Sequence, residues 1–390
     1  MIIPKANRLD HVQEYYFARK LAEVRNLMAQ GHDVVNLGIG DPDLPASDET
    51  VTALTQSAQN PKNHGYQPYR SILALRQAFA NWYSSTYNVT LNPETEVLPL
   101  LGSKEGIFHI AMAFLNPGDQ VLVPNPGYPA YAAVAKLVNA EPVFFDLTED
   151  TNWLPDLAAL RALDTSRVKL MFLNYPNMPT GALASEADFE KIIEFARERE
   201  ILIVHDNPYS LVLNEKAPIS ILHAAGAMDC CVELNSMSKS FNMAGWRIGM
   251  VAGQKEYIDA IIAVKSNLDS GMFLPVQHAA VQALSNSDNW HQERNAVYRK
   301  RRELVYELLD VLHCKYSKEA TGMFVWGRVP DDVEDVEAFL DRILYQANVF
   351  LTPGKIFGSN GERYVRISVC ATEENIRKAI KNVKALLINA

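Results

Sequence analysis

The sequence is poor in cysteine and has no long apolar run. Its four cysteines in 390 residues stand in no spacing typical of a metal site. Because Cys230 and Cys231 precede an apolar segment, we interpret them as reduced core residues of a cytoplasmic protein. The run 107–115 is too short to span a membrane, and the first ten residues lack the apolar segment of a signal peptide. We therefore expect neither a metal site nor a membrane segment.

Basic residues are outnumbered by acidic ones. The chain has 37 Lys and Arg against 46 Asp and Glu, a net charge of −9, and no basic run offsets that balance. This composition argues against a nucleic-acid partner. Hydrophobic residues make up 48% of the chain and charged residues 21%, as in ordinary globular proteins. A chain of this length exceeds the usual size of a single core, so we expect two domains.

Helix-like and strand-like segments alternate from about residue 50 to residue 285. Such alternation with short apolar strands predicts an α/β fold whose mostly parallel central sheet is flanked by helices. Helices are predicted at 73–83 and 104–115. The predicted strands are 98–101, 120–123, 142–146, 168–173, 201–205, 230–234 and 250–252.

A smaller α/β domain is predicted from both ends of the chain. Helices at 15–29, 292–312 and 372–388 and strands at 34–39, 323–326, 349–352 and 364–369 belong to it. The predicted large domain is 46–284, and the small domain combines 1–45 with 285–390.

Residues 236–249 (Ser-Met-Ser-Lys-Ser-Phe-Asn-Met-Ala-Gly-Trp-Arg-Ile-Gly) follow a predicted strand. Lys239 stands among serines, and Arg247 follows eight residues later. A lysine amine can form a Schiff base with an aldehyde, and serines with an arginine can hold a phosphate. These are the groups that bind pyridoxal phosphate, a phosphorylated aldehyde. For these residues alone, a solvated Ser/Lys loop remains an equal alternative.

Other predicted strands also end in polar or aromatic residues. A predicted helix begins at Ser103 and Lys104, and its first backbone amides can hold a phosphate. The alternative is that Ser103 only caps the helix. Tyr128 can stack on a flat ring or pack in the core. Asp206 directly follows an apolar strand, where a carboxylate needs a partner such as a protonated pyridine nitrogen, unless it caps a helix. We interpret His205 as a hydrogen-bonded histidine beneath the site, with a catalytic role as the alternative.

The carboxyl ends of parallel strands form one edge of a sheet, and ligands bind at that edge. We therefore expect the side chains at these strand ends to lie together. The Gly-x-Gly at 38–40 does not indicate a dinucleotide site, because Asp43 stands at the third glycine position and Pro42 opposes a helix start.

The order of these motifs resembles that of the class I/II aminotransferases, the fold-type I pyridoxal-phosphate enzymes. The resemblance runs from 36–43 (Asn-Leu-Gly-Ile-Gly-Asp-Pro-Asp) to 366–368 (Arg-Ile-Ser). Within the family the chain is most similar to the LL-diaminopimelate aminotransferase group. Three stretches carry that similarity: 101–107 (Leu-Gly-Ser-Lys-Glu-Gly-Ile), 126–129 (Pro-Gly-Tyr-Pro) and 264–271 (Val-Lys-Ser-Asn-Leu-Asp-Ser-Gly).

The resemblance implies roles for individual residues. Lys239 would form the Schiff base, Asp206 would pair with the pyridinium nitrogen, and Tyr209 would donate to the ring's phenolic oxygen. Tyr128 would stack on the ring, and Tyr66 would reach the phosphate of the partner's site in a homodimer. The other implied cofactor contacts are Ser103, Lys104, Asn177, Ser236, Ser238 and Arg247.

Arg366 and Gly40 are the implied substrate-binding residues. A guanidinium binds a carboxylate through two parallel hydrogen bonds, so Arg366 would hold the substrate α-carboxylate beside the Gly40 backbone. Two positions depart from the family pattern. Met178 stands where an asparagine donates to the ring oxygen, and Ser71 stands where glycine is usual.

The implied activity is transfer of an amino group from an L-amino acid to a 2-oxo acid such as 2-oxoglutarate, in amino-acid metabolism. LL-diaminopimelate is the leading donor hypothesis, and alanine, aspartate, methionine and aromatic amino acids remain open. A β-lyase or other amino-acid chemistry at the same site is the alternative enzyme. A cofactor-sensing regulator would need an added DNA-binding segment, and none precedes Gly40.

Overall fold

The computed structural model describes residues 3–12 and 16–388. The strands of these residues are β1 (Val35–Asn36), β2 (Val97–Leu100), β3 (Gln120–Asn125), β4 (Glu141–Asp146), β5 (Val168–Asn174), β6 (Leu202–Asp206), β7 (Cys231–Ser236), β8 (Gly249–Gly253), β9 (Lys315–Tyr316), β10 (Phe324–Arg328), β11 (Val349–Phe350), β12 (Thr352–Pro353) and β13 (Tyr364–Ser368).

Helices lie between and around these strands. The α-helices of the described residues are α1 (Tyr16–Ala29), α2 (Asp48–Ala58), α3 (Leu73–Tyr87), α4 (Ser103–Phe114), α5 (Pro129–Leu137), α6 (Leu157–Ala162), α7 (Glu186–Glu198), α8 (Ala227–Cys230), α9 (Met237–Ser240), α10 (Lys255–Lys265), α11 (Leu274–Ala283), α12 (Asp288–Val311), α13 (Val336–Ala347) and α14 (Glu373–Ile388). The 3-10 turns are Asn7–His11, Pro61–His64, Ile221–His223, Ala244–Trp246, Gly354–Phe357 and Ser359–Gly361. Within the described ranges, no helix is both long and apolar enough to cross a membrane.

The largest sheet has seven strands in the order β2-β8-β7-β6-β5-β3-β4. Neighbouring strands run parallel, except that β8 is antiparallel to both β2 and β7. Strands β6 and β7 are buried along their whole length, as expected for a sheet covered by helices on both faces. The predicted α/β fold with a mostly parallel central sheet is therefore confirmed.

The remaining strands form two small sheets near the ends of the chain. One is antiparallel in the order β12-β13-β10-β9, and the other pairs β1 with β11 in parallel. Helices α12, α13 and α14 contribute buried apolar residues to the core around them. We propose that this core belongs to the small domain, 1–45 with 285–390, and the seven-stranded sheet to the large domain, 46–284.

The segment 34–39 forms a shorter strand than its sequence predicts. Only Val35 and Asn36 pair as a strand. The carbonyl oxygen of Gly38 instead accepts hydrogen bonds from the side chains of Arg366 and Thr352, each at 2.8 Å. The backbone of this segment is therefore used to bind side chains. The first residue of the predicted helix 15–29 lies outside the described residues.

Candidate active site

One cavity of about 540 Å³ lies at the carboxyl ends of the parallel strands. It collects the predicted site residues from both ends of the chain, apart from Tyr66 and Asn177. Those that line it are Gly40, Ser103, Lys104, Tyr128, Asp206, Tyr209, Ser236, Ser238, Lys239, Arg247 and Arg366.

Lys239 lies on the short helix α9, which follows β7 directly. Its Nζ donates a hydrogen bond to the carbonyl oxygen of Gly40, at 2.5 Å. Burial lowers the pKa of Lys239, because the charged ammonium loses water. A lowered pKa increases the fraction of neutral amine, which is the nucleophilic form. A Cβ on Gly40 would lie 2.1 Å from the Phe324 ring, so the close approach here requires glycine.

Asp206 is the last residue of β6 and is buried. Its Oδ2 accepts a hydrogen bond from the Tyr131 hydroxyl at 3.1 Å, whereas its Oδ1 contacts no donor among the described residues. Burial raises the pKa of Asp206 to about 6, while the bond from Tyr131 and the proximity of His205 act in the opposite direction. A cation at Oδ1 would satisfy this carboxylate.

His205 lies beneath the cavity and does not line it. Its Nε2 accepts a hydrogen bond from the backbone N–H of Tyr175 at 3.2 Å, which assigns the ring proton to Nδ1. Nδ1 then donates to Glu233 Oε2 at 2.8 Å. Glu233 also accepts from Tyr83, at 2.7 Å, and from Ser220, at 2.9 Å. This agrees with the interpretation of His205 as a hydrogen-bonded histidine that supports the strand ends.

The opposite end of the cavity suits an anion. Helix α4 begins there, so its first amides point toward the cavity with the positive end of the helix dipole. Arg247 Nη1 lies 3.4 Å from Ser238 Oγ, and Ser103 Oγ is buried with no hydrogen-bond partner in the described chain. Gly102 has a φ of +96°, and a Cβ there would lie 2.2 Å from Arg247 Nη2. These groups can hold a phosphate.

Arg366 is buried on β13 among aromatic rings. Its guanidinium carbon lies 3.8 Å from the ring centroid of Phe324, 4.6 Å from that of Phe357 and 5.3 Å from that of Phe17. Nη2 donates to the Gly38 carbonyl at 2.8 Å. The guanidinium group of Arg366 is thus held in place by both hydrogen bonding and stacking.

Asn177 was predicted to contact the cofactor, but the loop after β5 places Met178, and not Asn177, at the cavity. Met178 lines the cavity, with its Sδ 3.3 Å from Arg366 Nη1. Asn177 is buried outside it, where its Oδ1 accepts from the Thr180 hydroxyl at 2.8 Å. Asn174 does line the cavity and donates to the Asp206 carbonyl at 2.6 Å. The cofactor contact assigned to Asn177 stays a prediction that this arrangement does not favour.

Tyr66 is 92% exposed and lines a separate surface cavity of about 310 Å³. The structure therefore does not bring it into the site of its own chain, and its action across a dimer stays a prediction. Nearby, Ser71 has a φ of +63°, the left-handed region that favours glycine. Position 71, where glycine is usual in the family, therefore carries a serine in a backbone conformation that favours glycine.

Comparison with known proteins identifies the family. Residues 32–383 match the family model for aminotransferase class I and II. The chain belongs to this family. It is 41% identical over 383 residues to an LL-diaminopimelate aminotransferase of Oleidesulfovibrio alaskensis and 40% identical over 388 residues to one of Moorella thermoacetica, with 98% of each chain covered in both cases.

Solved structures agree with this class I and II aminotransferase assignment. Substrate-bound BacF from Bacillus subtilis has a TM-score of 0.94 at 36% identity, covering 99% of this chain and 98% of that one. A single mutant of Thermus thermophilus aspartate aminotransferase has a TM-score of 0.91 at 27% identity, covering 99% of this chain and all of that one. The predicted fold-type I architecture is confirmed, and the protein is a pyridoxal-phosphate-dependent aminotransferase.

The residues of this aminotransferase's cavity fit pyridoxal phosphate. The unsatisfied Oδ1 of buried Asp206 suits a protonated ring nitrogen, and the unsatisfied Ser103 hydroxyl lies at the anion end. Lys239 lines the same cavity with an amine whose pKa is lowered by burial. The donors and acceptors therefore match those of a phosphorylated pyridine aldehyde.

Sequence reasoning missed several residues of this site. Tyr131, which donates to Asp206, follows Tyr128 by one helical turn, and that spacing at the start of α5 was the available signal. Asn174 ends β5 and was visible as a strand-end residue. Phe17 and Phe324 come from distant parts of the chain, and their meeting over Arg366 has no local signature.

Proposed function

We propose that the protein transfers the amino group of an L-α-amino acid to a 2-oxo acid, with Lys239 as the proton-transferring group. The observation that supports this most is the presence of Lys239, Asp206 and Arg366 on one cavity. An amine, a buried carboxylate and a guanidinium fork match the three demands of transamination: proton transfer, a cation at the ring nitrogen and recognition of a carboxylate.

Bound pyridoxal phosphate supplies an aldehyde that captures amines and a ring that accepts electrons when a Cα–H bond breaks. Lys239 would take the proton from Cα and return it on the cofactor side, because burial lowers its pKa and so increases the fraction of neutral amine that can accept a proton. With the cofactor bound, Asp206 would hold a positive charge at the ring nitrogen, Tyr209 would donate to the ring's phenolic oxygen, and Tyr128 would stack on the ring. The first oxo acid leaves before the second one binds to the same groups, so we expect ping-pong kinetics.

The anion end holds the phosphate. In this proposal the α4 amides of Ser103 and Lys104 donate to it together with Ser236, Ser238 and Arg247. Arg366 would bind the α-carboxylate of donor and acceptor alike, with the Gly40 backbone beside it. Lys239 already donates a hydrogen bond to the Gly40 carbonyl. The substrate carbon is thereby placed between the amine and the guanidinium.

The names of the relatives support LL-diaminopimelate as a donor to test first. The acceptor proposed here is 2-oxoglutarate. A β-lyase using the same residues is the alternative, because its first proton abstraction is the same. Arg366 and the family match favour transamination. The four free cysteines support a cytoplasmic location for this activity.

A homodimer in which Tyr66 completes the partner's site is also proposed. The exposed aromatic side chain of Phe273 supports it, since this residue is 44% exposed and lines the same surface cavity as Tyr66, and exposed apolar groups mark interfaces when they cluster. Mixing Lys239→Ala and Tyr66→Phe dimers and letting subunits exchange should give hybrids with one intact site. Activity no higher than that of the Tyr66→Phe dimers would place Tyr66 in its own subunit's site.

The function itself is tested by a half-reaction. The purified protein is incubated with a panel of L-amino acids, and conversion of the bound cofactor to its amine form is followed by absorbance. Conversion that 2-oxoglutarate then reverses is the expected result. Release of pyruvate or ammonia without the amine form would indicate the β-lyase. Lys239→Ala is the control and should show no turnover.

A further inference from the structure

We infer that Glu233 and His205 are positioning residues of the cofactor site. The Glu233 carboxylate orients the ring of His205, and that ring holds the loop after β5 in the conformation that supports Asp206. The inference rests on the proposed function only through the cofactor, because neither residue is among the described residues that line the cavity. It is carried by hydrogen bonds inside one chain.

Glu233 lies in the middle of β7 and is completely buried. Its Oε1 accepts hydrogen bonds from the hydroxyls of Tyr83, at 2.7 Å, and Ser220, at 2.9 Å. Its Oε2 accepts from the backbone N–H of Ile221, at 3.0 Å, and from His205 Nδ1, at 2.8 Å. An ionised carboxylate has about four acceptor sites, and these donors fill them. The group is therefore satisfied as an anion and has no proton to donate to His205.

His205 lies beside Glu233 on the neighbouring strand β6, where the two residues are paired in register. Because Nδ1 donates to Glu233, the neutral ring keeps Nε2 as an acceptor, and Nε2 accepts from the backbone N–H of Tyr175 at 3.2 Å. One chain buries both His205 and Glu233 completely, so a second subunit cannot add a partner here. Glu233 thus turns the second ring nitrogen of His205 toward the loop after β5.

The loop after β5 connects this contact to the cavity. Tyr175 directly follows Asn174, whose Nδ2 donates to the carbonyl oxygen of Asp206 at 2.6 Å. Asn174 Oδ1 accepts from the backbone N–H of Met178 at 2.7 Å, and both Asn174 and Met178 line the cavity. The loop therefore connects buried His205 with the backbone of the residue that faces the ring nitrogen.

Loss of the acceptor at His205 Nε2 has a defined consequence for cofactor binding. Tyr175 is buried, so its N–H would have no partner, and the loop would shift to regain one. The dissociation constant of pyridoxal phosphate rises as the fraction of molecules with the competent loop conformation falls. One hydrogen bond corresponds to about a tenfold change in that fraction.

The first test compares two substitutions of His205 by the dissociation constant of pyridoxal phosphate, measured on the full chain freed of cofactor. His205→Phe keeps a ring against Phe189, which lies at a centroid distance of 5.1 Å, and loses both hydrogen bonds, so we expect the constant to rise about tenfold. His205→Gln loses the ring but keeps a donor for Glu233 and an acceptor for Tyr175, so we expect a value within about threefold of wild type. Equal values, or the reverse order, would show that His205 acts by packing and would overturn the inference.

The second test separates the hydrogen bonds of Glu233 from its charge. The donors at Oε2 cannot become acceptors, whereas the hydroxyls at Oε1 can rotate and accept. Glu233→Gln can therefore turn its carbonyl oxygen toward His205 and its NH2 toward the hydroxyls, and we expect a dissociation constant within about threefold of wild type. Glu233→Leu removes the acceptor and should raise the constant about tenfold. A rise for Glu233→Gln as large as that for Glu233→Leu would mean that charge acts and position does not, and would overturn the inference.

Two further measurements apply if a single variant fails to fold. The nitrogen NMR spectrum of the cofactor-free wild type with labelled histidine, assigned with His205→Gln, should show His205 protonated at Nδ1 alone; a proton on Nε2 would overturn the inference. The double variant His205→Phe with Glu233→Leu removes both partners together, which costs less than leaving one unpaired, and it should show the tenfold weaker binding. Wild-type affinity in the double variant would also overturn the inference. Cofactor binding is measured without substrate, so failure of transamination in the amino-acid panel would leave these outcomes unchanged.

Discussion

The hydrogen bond from Tyr131 to Asp206 gives a quantitative prediction. Tyr131→Phe removes one hydroxyl and keeps the ring, which stacks on Phe172 at a centroid distance of 4.6 Å. A hydrogen bond to a charged group contributes about 1.5–3 kcal/mol, and about 1.36 kcal/mol corresponds to one pKa unit. The pKa of Asp206, about 6 in the protein without cofactor, should therefore rise by about one to two units.

The assay is the dissociation constant of pyridoxal phosphate measured on the cofactor-free protein from pH 5 to pH 9. Ionised Asp206 binds the protonated ring nitrogen and the neutral acid does not, so the affinity should increase with pH through the pKa of Asp206. Tyr175→Phe is the matched control, because that buried tyrosine donates to the Trp153 carbonyl. Coincident pH profiles for Tyr131→Phe and the control would refute the reasoning.

Stability supplies a second readout with a defined sign. The pKa of Asp206 lies above its ordinary value of 3.8, so its contribution to stability is fully present below pH 4 and lost as the pH rises through about 6. In Tyr131→Phe the loss should extend to about pH 7–8. Urea unfolding of the cofactor-free proteins should then show the variant less stable than wild type by about 1.5–3 kcal/mol at pH 9, with a smaller difference at pH 5.

Three further predictions concern substrate, cofactor and backbone. Arg366→Lys should lower kcat/KM by an amount equivalent to about 2–5 kcal/mol with the cofactor still bound, because a point charge replaces a two-pronged fork; an unchanged value would mean that another residue holds the carboxylate. Met178→Asn restores a donor to the ring oxygen and should lower the pH midpoint of the bound cofactor's long-wavelength band by about one to two units; superimposable titrations would show that another donor serves that oxygen. Ser71→Gly relieves a positive φ and should stabilise the protein in urea by about 0.5–1 kcal/mol, whereas Ser85→Gly inside α3 should destabilise it by a similar amount; a loss of stability at position 71 would contradict this.

Much of the fold and the cofactor end of the site could be predicted from the sequence. Apolar strands such as β6 and β7 are local features, and Asp206 stands at the end of β6 while Lys239 follows the end of β7 by three residues. Asp206 and Lys239 could therefore be placed from short stretches. The family resemblance added Arg366 and Gly40, which lie over 300 residues apart and share no local pattern.

Contacts that depend on three-dimensional proximity could not be predicted. The acceptor of Lys239 is a carbonyl 199 residues away, and nothing in the sequence around Gly40 marks it as such. Asn174 and Asn177 are both polar and three residues apart, and only the turn of the loop decides which one faces the cavity. The proposed role of Tyr66 concerns a second subunit, whose position the sequence of one chain does not define.

Helix α1 has a consequence for how such enzymes diverge. One face of the helix anchors it: Lys20 donates to Asp341 at 2.8 Å, and Val24 packs with Leu344. An adjacent face carries Ala18 and Leu21 to the mouth of the cavity. Substitutions on the second face leave the anchor and the seven-stranded sheet unchanged, so a few of them can change the amino-acid donor that such an enzyme accepts. An identity of about 40% to enzymes named for one donor is compatible with such a change.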